Sequence, residues 1–489
     1  MHHSFYYHYI LKFHIIKVFL YTLIMVKSMK EKIPDILKQL GNSDDIITKE
    51  VALYESCVTL LYCETVVSSD LVNRYLLDAT AKASFLHVPI PDEKAFFMQV
   101  VPGLNVKEIE LKDVPFYLLN GFVIIFGTNF VIAIETRAML DSGVQPSQNE
   151  KVLEGPKDAF TENIEKNIGL IRKRLPVPDL RVKSSLIGRN SKTKLSYCYM
   201  ESIANSKLVQ RLFQKLNAID IDFVSDNNQL KVLLRESGMP TMYATERPDK
   251  VVEALSEGKI VVLLNGSPYV LLMPMFFPDF FKTSDDYYQH FAFTLFNRII
   301  RGIAFFLAIF LPGIFVAVTT HNYDSLNLPL LIIFYAQRVN VPFPAFIEAL
   351  LLILSFEILR ESDIRSSLGN SISILGGIIL GSAAVSAGII SPIMIIVIAI
   401  SIIAGLIFPS TDFNYLIRTY RMILLLLGAL FGLFGVFMGF VLLMYQISVT
   451  TVFSLPYFYP IVPLKKEKVT SRFRYRNFLL AKKNRRRSS

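Results

Sequence analysis

The chain of 489 residues is 52% hydrophobic and 19% charged, with a mean hydropathy of +0.42. That balance excludes a wholly water-soluble protein and marks an integral membrane one. The net charge of +10 is local: Lys465 to Ser489 carries eleven Lys or Arg against Glu467, so everything before it sums to zero. Residues 464–489 therefore read as a cytoplasmic topology anchor that meets anionic lipid headgroups. Nucleic-acid binding is the sharper alternative, but nothing else in the chain is basic.

Long uncharged runs lie after about Phe293, whereas residues 30–290 mix charged and apolar positions as a globular region does. The expected organisation is an apolar leader at 1–30, α+β subdomains at 31–150 and 151–290, a helical membrane domain at 291–463, and the tail. The leader run Ile10 to Val26 is interrupted by Lys12, His14 and Lys17 and is short for a span. It reads either as a signal anchor or as residues before a true start at Met25 or Met29, the second being preferred because "KSMKEK" opens a polar leader.

In the first subdomain, "DIITKEVALYESCVTLLY" and "DLVNRYLLDATAKA" show helical patterns, "PFYLLNGFVIIF" reads as a strand pair turning at Asn120-Gly121, and "FVIAIETR" as a third strand. The second subdomain opens with a helix whose Phe160, Ile164, Ile168 and Ile171 share a face and which Pro176 stops. Then come the strand "KLSYCYM", the helices "SKLVQRLFQKLNAI" and "RPDKVVEAL", and a hairpin "KIVVLLNGSPYVLLMP" at a second Asn-Gly. The reading is one compact α+β module used twice.

Chemistry is sparse in this half. Cys57, Cys63 and Cys198 imply no disulfide framework, and the spacing of the first two fits no zinc pattern, so they read as buried thiols. "GRNSKTK" lacks the glycine before lysine that a phosphate loop needs. His87 and His290 are isolated, and Asp285-Asp286 reads as a helix start. No catalytic residue, metal or cofactor is expected, and the chain reads as no enzyme.

The membrane half holds five apolar segments: Phe293–Val318, Phe343–Leu359, Ile372–Ile390, Ile393–Phe408 and Ile417–Tyr445. With the globular half and the tail both cytoplasmic, the number of crossings is even. The second segment, short and flanked by Pro342 and Pro344, is then set aside as a re-entrant or interior helix, leaving four crossings. It carries Glu348 and Glu357, nine residues apart and hence on opposite helical faces. Glu357 stands three before Arg360 and Glu361 four before Arg365, a spacing for intrahelical pairs. These carboxylates read either as buried pairs that fix helix register or as part of an ion path. Gly377, Gly381 and Gly388, with the pairs Gly428/Gly432 and Gly435/Gly439, read as small-residue packing faces that also invite association between subunits.

"LEGPKDAFTENIEKNIGLIRKRL", "IGRNSKTKL", "TERPDKVVEALSEGKIVVLLNGSPYVLLMP", "SDDYYQHF", "RIIRGIAFFLAIFLPGIFVAVTTHNYDSLNLP", "VPFPAFIEALLLILSFEILRES" and "GSAAVSAGIISP" occur in this order. Together they resemble the A subunit of GerA-type spore germination receptors, over about residues 45–475. The resemblance implies a subunit of a nutrient germinant receptor in the spore inner membrane, working with a transporter-like B subunit and a lipoprotein C subunit. It also implies a homo-oligomer that conducts cations when nutrient binds. The positions carried over are Pro329, Arg338, Pro342, Pro344, Glu348, Glu357, Arg360 and Glu361. The chain departs from the family pattern at Val339, Ser366-Ser367, Ser382 and Ser386, which puts an ion path through those positions in doubt. A secondary transporter, or an accessory subunit of one, is the alternative, weakened by the small number of crossings.

Overall fold

The computed structural model describes residues 32–53, 56–85, 93–99, 105–127, 129–140, 150, 155–235, 237–365, 381–453, 455–459 and 461–462. The leader at 1–30, the tail at 464–489, His87 and Gly377 lie outside the described residues. Two compact units emerge, divided near Met273 and Pro274, with Gly155, Arg235 and 237–243 grouped with the second.

The first unit is built twice from one plan. Its first half runs α1 (Ile33–Gln39), β1 (Ile46–Leu53), β2 (Ser56–Cys63), α2 (Ser69–Leu71, the π-helical Val72–Leu77 and Asp78–Phe85), α3 (Glu93–Gln99), β3 (Val106–Glu108), α4 (Val114–Leu119), β4 (Phe122–Phe126) and β5 (Val131–Glu135). The second half runs α5 (Ile164–Arg174), β6 (Leu180–Ile187), β7 (Thr193–Met200), α6 (Ser206–Ala218), α7 (Asn227–Leu234), β8 (Tyr243–Thr245), α8 (Pro248–Ser256), β9 (Ile260–Leu264) and β10 (Val270–Met273). The sheet orders β1-β2-β4-β5-β3 and β6-β7-β9-β10-β8 are the same topology. The α+β reading of this half therefore holds.

Strand β4 shows why its sequence is apolar throughout rather than alternating. Val123 and Ile125 face a core with Val72, Leu76 and Phe97 of α2 and α3. Phe122, Ile124 and Phe126 face Ile36 of α1 and Leu118 of α4. A strand covered on both faces needs apolar side chains at both parities.

Two expectations fail here. "DIITKEVALYESCVTLLY" is the β1–β2 hairpin, in register from Ile46↔Cys63 to Leu53↔Ser56, not a helix. Its β-branched residues Ile46, Ile47, Thr48, Val51, Val58 and Thr59 fit a pleated surface, and strand pairing overrides the apolar spacing. "PFYLL" is helix α4, with Pro115 in its first turn, and β4 pairs instead with β5. Gly121, at φ +84, turns the chain from helix to strand. In the second half α5, β7, α6, α8 and the β9–β10 hairpin fall where expected, and β6, α7 and β8 are additions.

The two halves are riveted together. Asp44 N–H donates to the Val182 carbonyl at 3.0 Å and Ser184 N–H to the Asp44 carboxylate at 2.7 Å. Beneath them Arg172, 1% exposed, donates to Asp45 from Nε at 2.9 Å and from Nη2 at 3.0 Å. Helix α5 passes so close that a Cβ on Gly169 would stand 2.2 Å from the Thr65 carbonyl oxygen. Cys63 and Cys198 are buried beside this pair while Cys57 is half-buried. Burial pushes both buried thiols up to about 12, so neither is a nucleophile at neutral pH.

The second unit is helical: α9 (Phe291–Thr320), α10 (Leu328–Arg338), α11 (Ala345–Arg365), α12 (Pro392–Leu406) and α13 (Thr411–Val449). Among the described residues α9 and α13 are long and apolar enough to cross a membrane. At the foot of α9, the Oδ2 of buried Asp286 accepts from Arg298 Nε at 2.9 Å and from Arg301 Nη1 at 3.0 Å, so the expected helix-start doublet is also an ion-pair clamp. Beside it Phe277, Phe280 and Phe281 pack with Phe305, Phe408 and Phe413.

Helix α13 is not one rod. Its 39 residues would extend roughly 58 Å, twice the apolar thickness of a bilayer. Gly432, at φ 63 and ψ −147, breaks it. The halves then lie side by side: Tyr420 Oη donates to Gln446 Oε1 at 2.6 Å, and a Cβ on Gly439 would stand 2.4 Å from Leu424 Cδ2. It is a helical hairpin whose tip is held by α9, with Asn322 Oδ1 accepting from Leu433 N–H at 2.9 Å and His321 Nε2 2.7 Å from the Ala429 carbonyl. The first half runs parallel to α9, since Phe305 meets Phe413 and Gly313 meets Gly428. The second half brings Tyr457 and Phe458 back to Phe277, beside the start of α9.

The crossing count that set the Glu348 helix aside took Ile417–Tyr445 as a single pass. The chain instead folds back at Gly432 within that segment, so the single-pass premise does not hold, and residues 372–380 of the third apolar segment, like Ser366-Ser367, lie outside the described residues.

Candidate functional site

The carboxylate of Glu348 is held by three helices. Chain direction brings them together: Asn327 caps α10, its Oδ1 accepting from Leu330 N–H at 3.3 Å with Pro329 in the first turn. Past Arg338 the chain turns through Pro342, and the Pro344 carbonyl accepts from Glu348 N–H at 3.1 Å, which starts α11. Glu348 thus stands in a helix's first turn, where the peptide dipoles favour a negative charge.

Its side chain is fully buried. Oε2 accepts from the Ser391 backbone N–H at 2.9 Å and from Ser391 Oγ at 2.8 Å, at the residue that caps α12. Oε1 stands 3.3 Å from Arg338 Nε, the end of α10. That contact is an ion pair without hydrogen-bond geometry, for both Oε1 and Nε lack a hydrogen-bond partner among the described residues. The pair is therefore incompletely satisfied, so its attraction offsets the cost of burying the two charges less fully than a hydrogen-bonded pair would.

Glu357 points elsewhere, as nine-residue spacing predicts. Its Oε2 is 3.0 Å from Arg418 Nη1 on α13, a tertiary partner in place of the expected intrahelical Arg360. Arg360 is half-buried nearby and Glu361 is exposed. The side chain of Arg365 lies outside the described residues. Of the carried-over positions the structure brings Arg338 and Glu348 together at Ser391, with Pro344 starting the helix that carries Glu348, sets Glu357 beside Arg418 with Arg360 one turn on, leaves Glu361 exposed, and keeps Pro329 in the first turn of α10.

The glycines divide too. Gly428 meets Gly313 of α9, its added Cβ 2.6 Å from that carbonyl oxygen, while a Cβ on Gly435 would stand 2.0 Å from the Leu427 carbonyl within the hairpin. Gly432 is the hairpin turn and Gly388, at φ 65, ends the helical residues 381–386, with Gly388 N–H on Val385 and Ile389 N–H on Ala384. These two serve conformation rather than the small-residue packing expected of them. Gly381 has one atom, Ile395 Cδ1, at 4.0 Å.

Sequence reading missed Ser391, Ser401 and Arg421. Pro312 inside α9 has no N–H, which leaves the Ala308 carbonyl without its helical donor. Arg421 Nε and Ser401 Oγ both donate to that oxygen at 2.8 Å, and Arg421 Nη2 reaches the Ser401 carbonyl at 3.1 Å. A proline deep in an apolar run was the available signal for a buried donor.

A doubled α+β region joined to an apolar helical unit with buried charges places the chain in a class: it belongs to the Bacillus/Clostridium GerA spore germination proteins, whose family model matches residues 34–488. Among relatives, it is 30% identical over 453 residues to spore germination protein KA of Bacillus subtilis (strain 168), covering 90% of this chain and 83% of that one. It is 29% identical over 448 residues to spore germination protein GerLA of Bacillus cereus, covering 88% and 90%. The crystal structure of the N-terminal domain of the A subunit of the Bacillus megaterium spore germinant receptor GerK3 is 28% identical, covers 50% of this chain and 93% of that one, and superposes with a TM-score of 0.39.

Proposed function

We propose that this chain is the A subunit of a nutrient receptor in the spore inner membrane, whose helical unit spans the bilayer and opens a cation path on nutrient binding. In this reading several copies assemble with a transporter-like B subunit and a lipoprotein C subunit, and the α+β unit and the tail are cytoplasmic. The family resemblance supplies the setting. The observation that carries the mechanism is the buried Arg338–Glu348–Ser391 contact, which ties α10, α11 and the start of α12 through one carboxylate. A three-helix tie with an unsatisfied oxygen is suited to two arrangements, one with the tie made and one with it released.

Glu348→Gln keeps an acceptor for Ser391 but leaves the Arg338 charge uncompensated. The expected result is a drop of about tenfold or more in nutrient-triggered cation release from spores, with the protein accumulating normally, measured by ion efflux and immunoblot. The double variant Arg338→Met with Glu348→Leu replaces the pair by apolar side chains and should accumulate without restoring release. Restored release would reduce the pair to a structural clamp.

A further inference from the structure

Helix α9 is longer than a bilayer requires. Gly302 to Thr320 carry no charge and would extend roughly 28 Å, close to the apolar thickness of a bilayer. The turns before them, residues 291–301, meet irregular backbone on one side. There Thr294 Oγ1 donates to the Asp286 carbonyl at 3.2 Å, Asn297 Nδ2 to Gln289 Oε1 at 3.1 Å and Arg301 Nη1 to the Phe281 carbonyl at 3.0 Å. His290 caps the helix, its Nδ1 accepting from Ala292 N–H at 3.3 Å, and both His290 and Tyr288 are exposed. Exposed non-helical backbone with charged and amide side chains does not face hydrocarbon, so these turns lie outside it.

The other side of the same turns is apolar and bare. Phe291, Phe293, Leu295, Phe296, Ile299 and Ile300 are exposed, Phe293 to 66% and Phe296 to 60%. On a helix of 3.6 residues per turn they fill an arc of about 200°, and Thr294, Arg298 and Arg301 lie in the remainder. The six leave roughly 600 Å² of apolar surface, taking about 200 Å² for each whole side chain. A patch of that size outside the hydrocarbon marks an interaction surface.

Two features decide what covers it. The arc carries no charged or hydrogen-bonding side chain, so it offers nothing to a charged partner. Its side chains stand in rows at a spacing of four, Phe291-Leu295-Ile299 and Ala292-Phe296-Ile300, the ridges that interdigitate when helices pack. A matching arc from another copy brings the buried area to about 1,200 Å², where specific interfaces begin.

We propose that residues 291–300 of α9 form an interface between copies of this chain, the arc of one copy packing on that of its neighbour just outside the hydrocarbon. This rests on the assembly of several copies proposed above, names the surface that makes it, and needs no ion conduction.

The test uses the full chain, purified alone in detergent, with Cys57→Ser so that the remaining native thiols are buried. Light scattering over a range of concentrations should find a multimer. Phe296→Glu with Ile299→Glu should raise its dissociation midpoint at least tenfold, while Phe296→Leu leaves it in place. Phe296→Cys and Ile299→Cys, each made singly, should be joined between copies by a short bifunctional thiol reagent, a reading that stands should the glutamate variant not fold. A multimer that persists in the glutamate variant without cross-links at either cysteine overturns this interface and leaves assembly through another face standing. A chain that stays monomeric at every concentration overturns it together with the assembly proposed above. Labelling the two cysteines with a water-soluble maleimide tells which covering took its place. Protection in lipid nanodiscs alone assigns the arc to lipid, and protection in a detergent monomer assigns it to the rest of the same chain; either overturns the proposal.

Discussion

Asp286 is buried, yet it remains an acid of depressed pKa. Burial alone would raise it, but hydrogen bonds and charge from Arg301 and Arg298 outweigh that and hold the carboxyl below the usual carboxylate value. A depressed carboxylate contributes stability that is complete above its unfolded pKa and lost as pH falls through the folded one. Asp286→Asn should therefore lower the melting temperature at pH 7 and differ less from wild type as acid titrates the clamp, measured by thermal denaturation in detergent at several pH values. An unchanged difference down to strongly acid pH would show that the clamp contributes no charge-dependent stability. Arg301 also donates to the Phe281 carbonyl at 3.0 Å and to Thr283 Oγ1 at 2.8 Å, so the arginine would keep neutral partners in the variant.

At the scale of elements the hairpin decides most. A straight α13 would place residues 420 and 446 roughly 39 Å apart, whereas the folded one sets their side chains in hydrogen-bond contact. Cysteines at Tyr420 and Gln446 should therefore be joined by a bifunctional thiol reagent that spans about 10 Å, read as a mobility shift, and no cross-link is expected from a continuous helix, whose two positions stand far beyond that reach. Gly432→Ala puts a Cβ 2.3 Å from Asn322 Oδ1 at a backbone conformation that only glycine adopts readily. It should cost about 1–3 kcal/mol and weaken that cross-link. The composition of 411–449 announces an apolar helix plainly, but its length was the clue to the fold: too long for one pass, with glycines on both sides of a turn.

At the scale of the whole molecule, the doubled unit stands on the Asp45–Arg172 pair. Removing one partner of a buried pair strands the other, at about 3–5 kcal/mol. Arg172→Ala should thus lower the melting temperature of the full chain by about 10 °C, whereas the double replacement Asp45→Leu with Arg172→Met should recover much of it. Recovery by the double change would show that the pair specifies the arrangement more than it stabilises it. Equal losses in the single and double variants would assign the effect to packing around Gly169 and Thr65.

Much of this protein is decided locally. Apolar composition, the placement of charges and the spacing of turns determine a globular α+β half before an apolar helical half, because burial and periodicity act along the chain. The same logic places Glu348 and Glu357 on opposed faces of one helix. What local pattern does not carry is partnership. Whether "DIITKEVALYESCVTLLY" becomes strand or helix depends on the sheet that receives it. Whether Glu357 pairs along its helix with Arg360 or across to Arg418 depends on which helix lies beside it. The fold-back at Gly432, the donors that answer Pro312, and the seat of Glu348 on Ser391 join residues 43 to 113 positions apart. Those pairings exist only once the helices pack, since a buried polar group is satisfied by whatever the tertiary structure brings within reach.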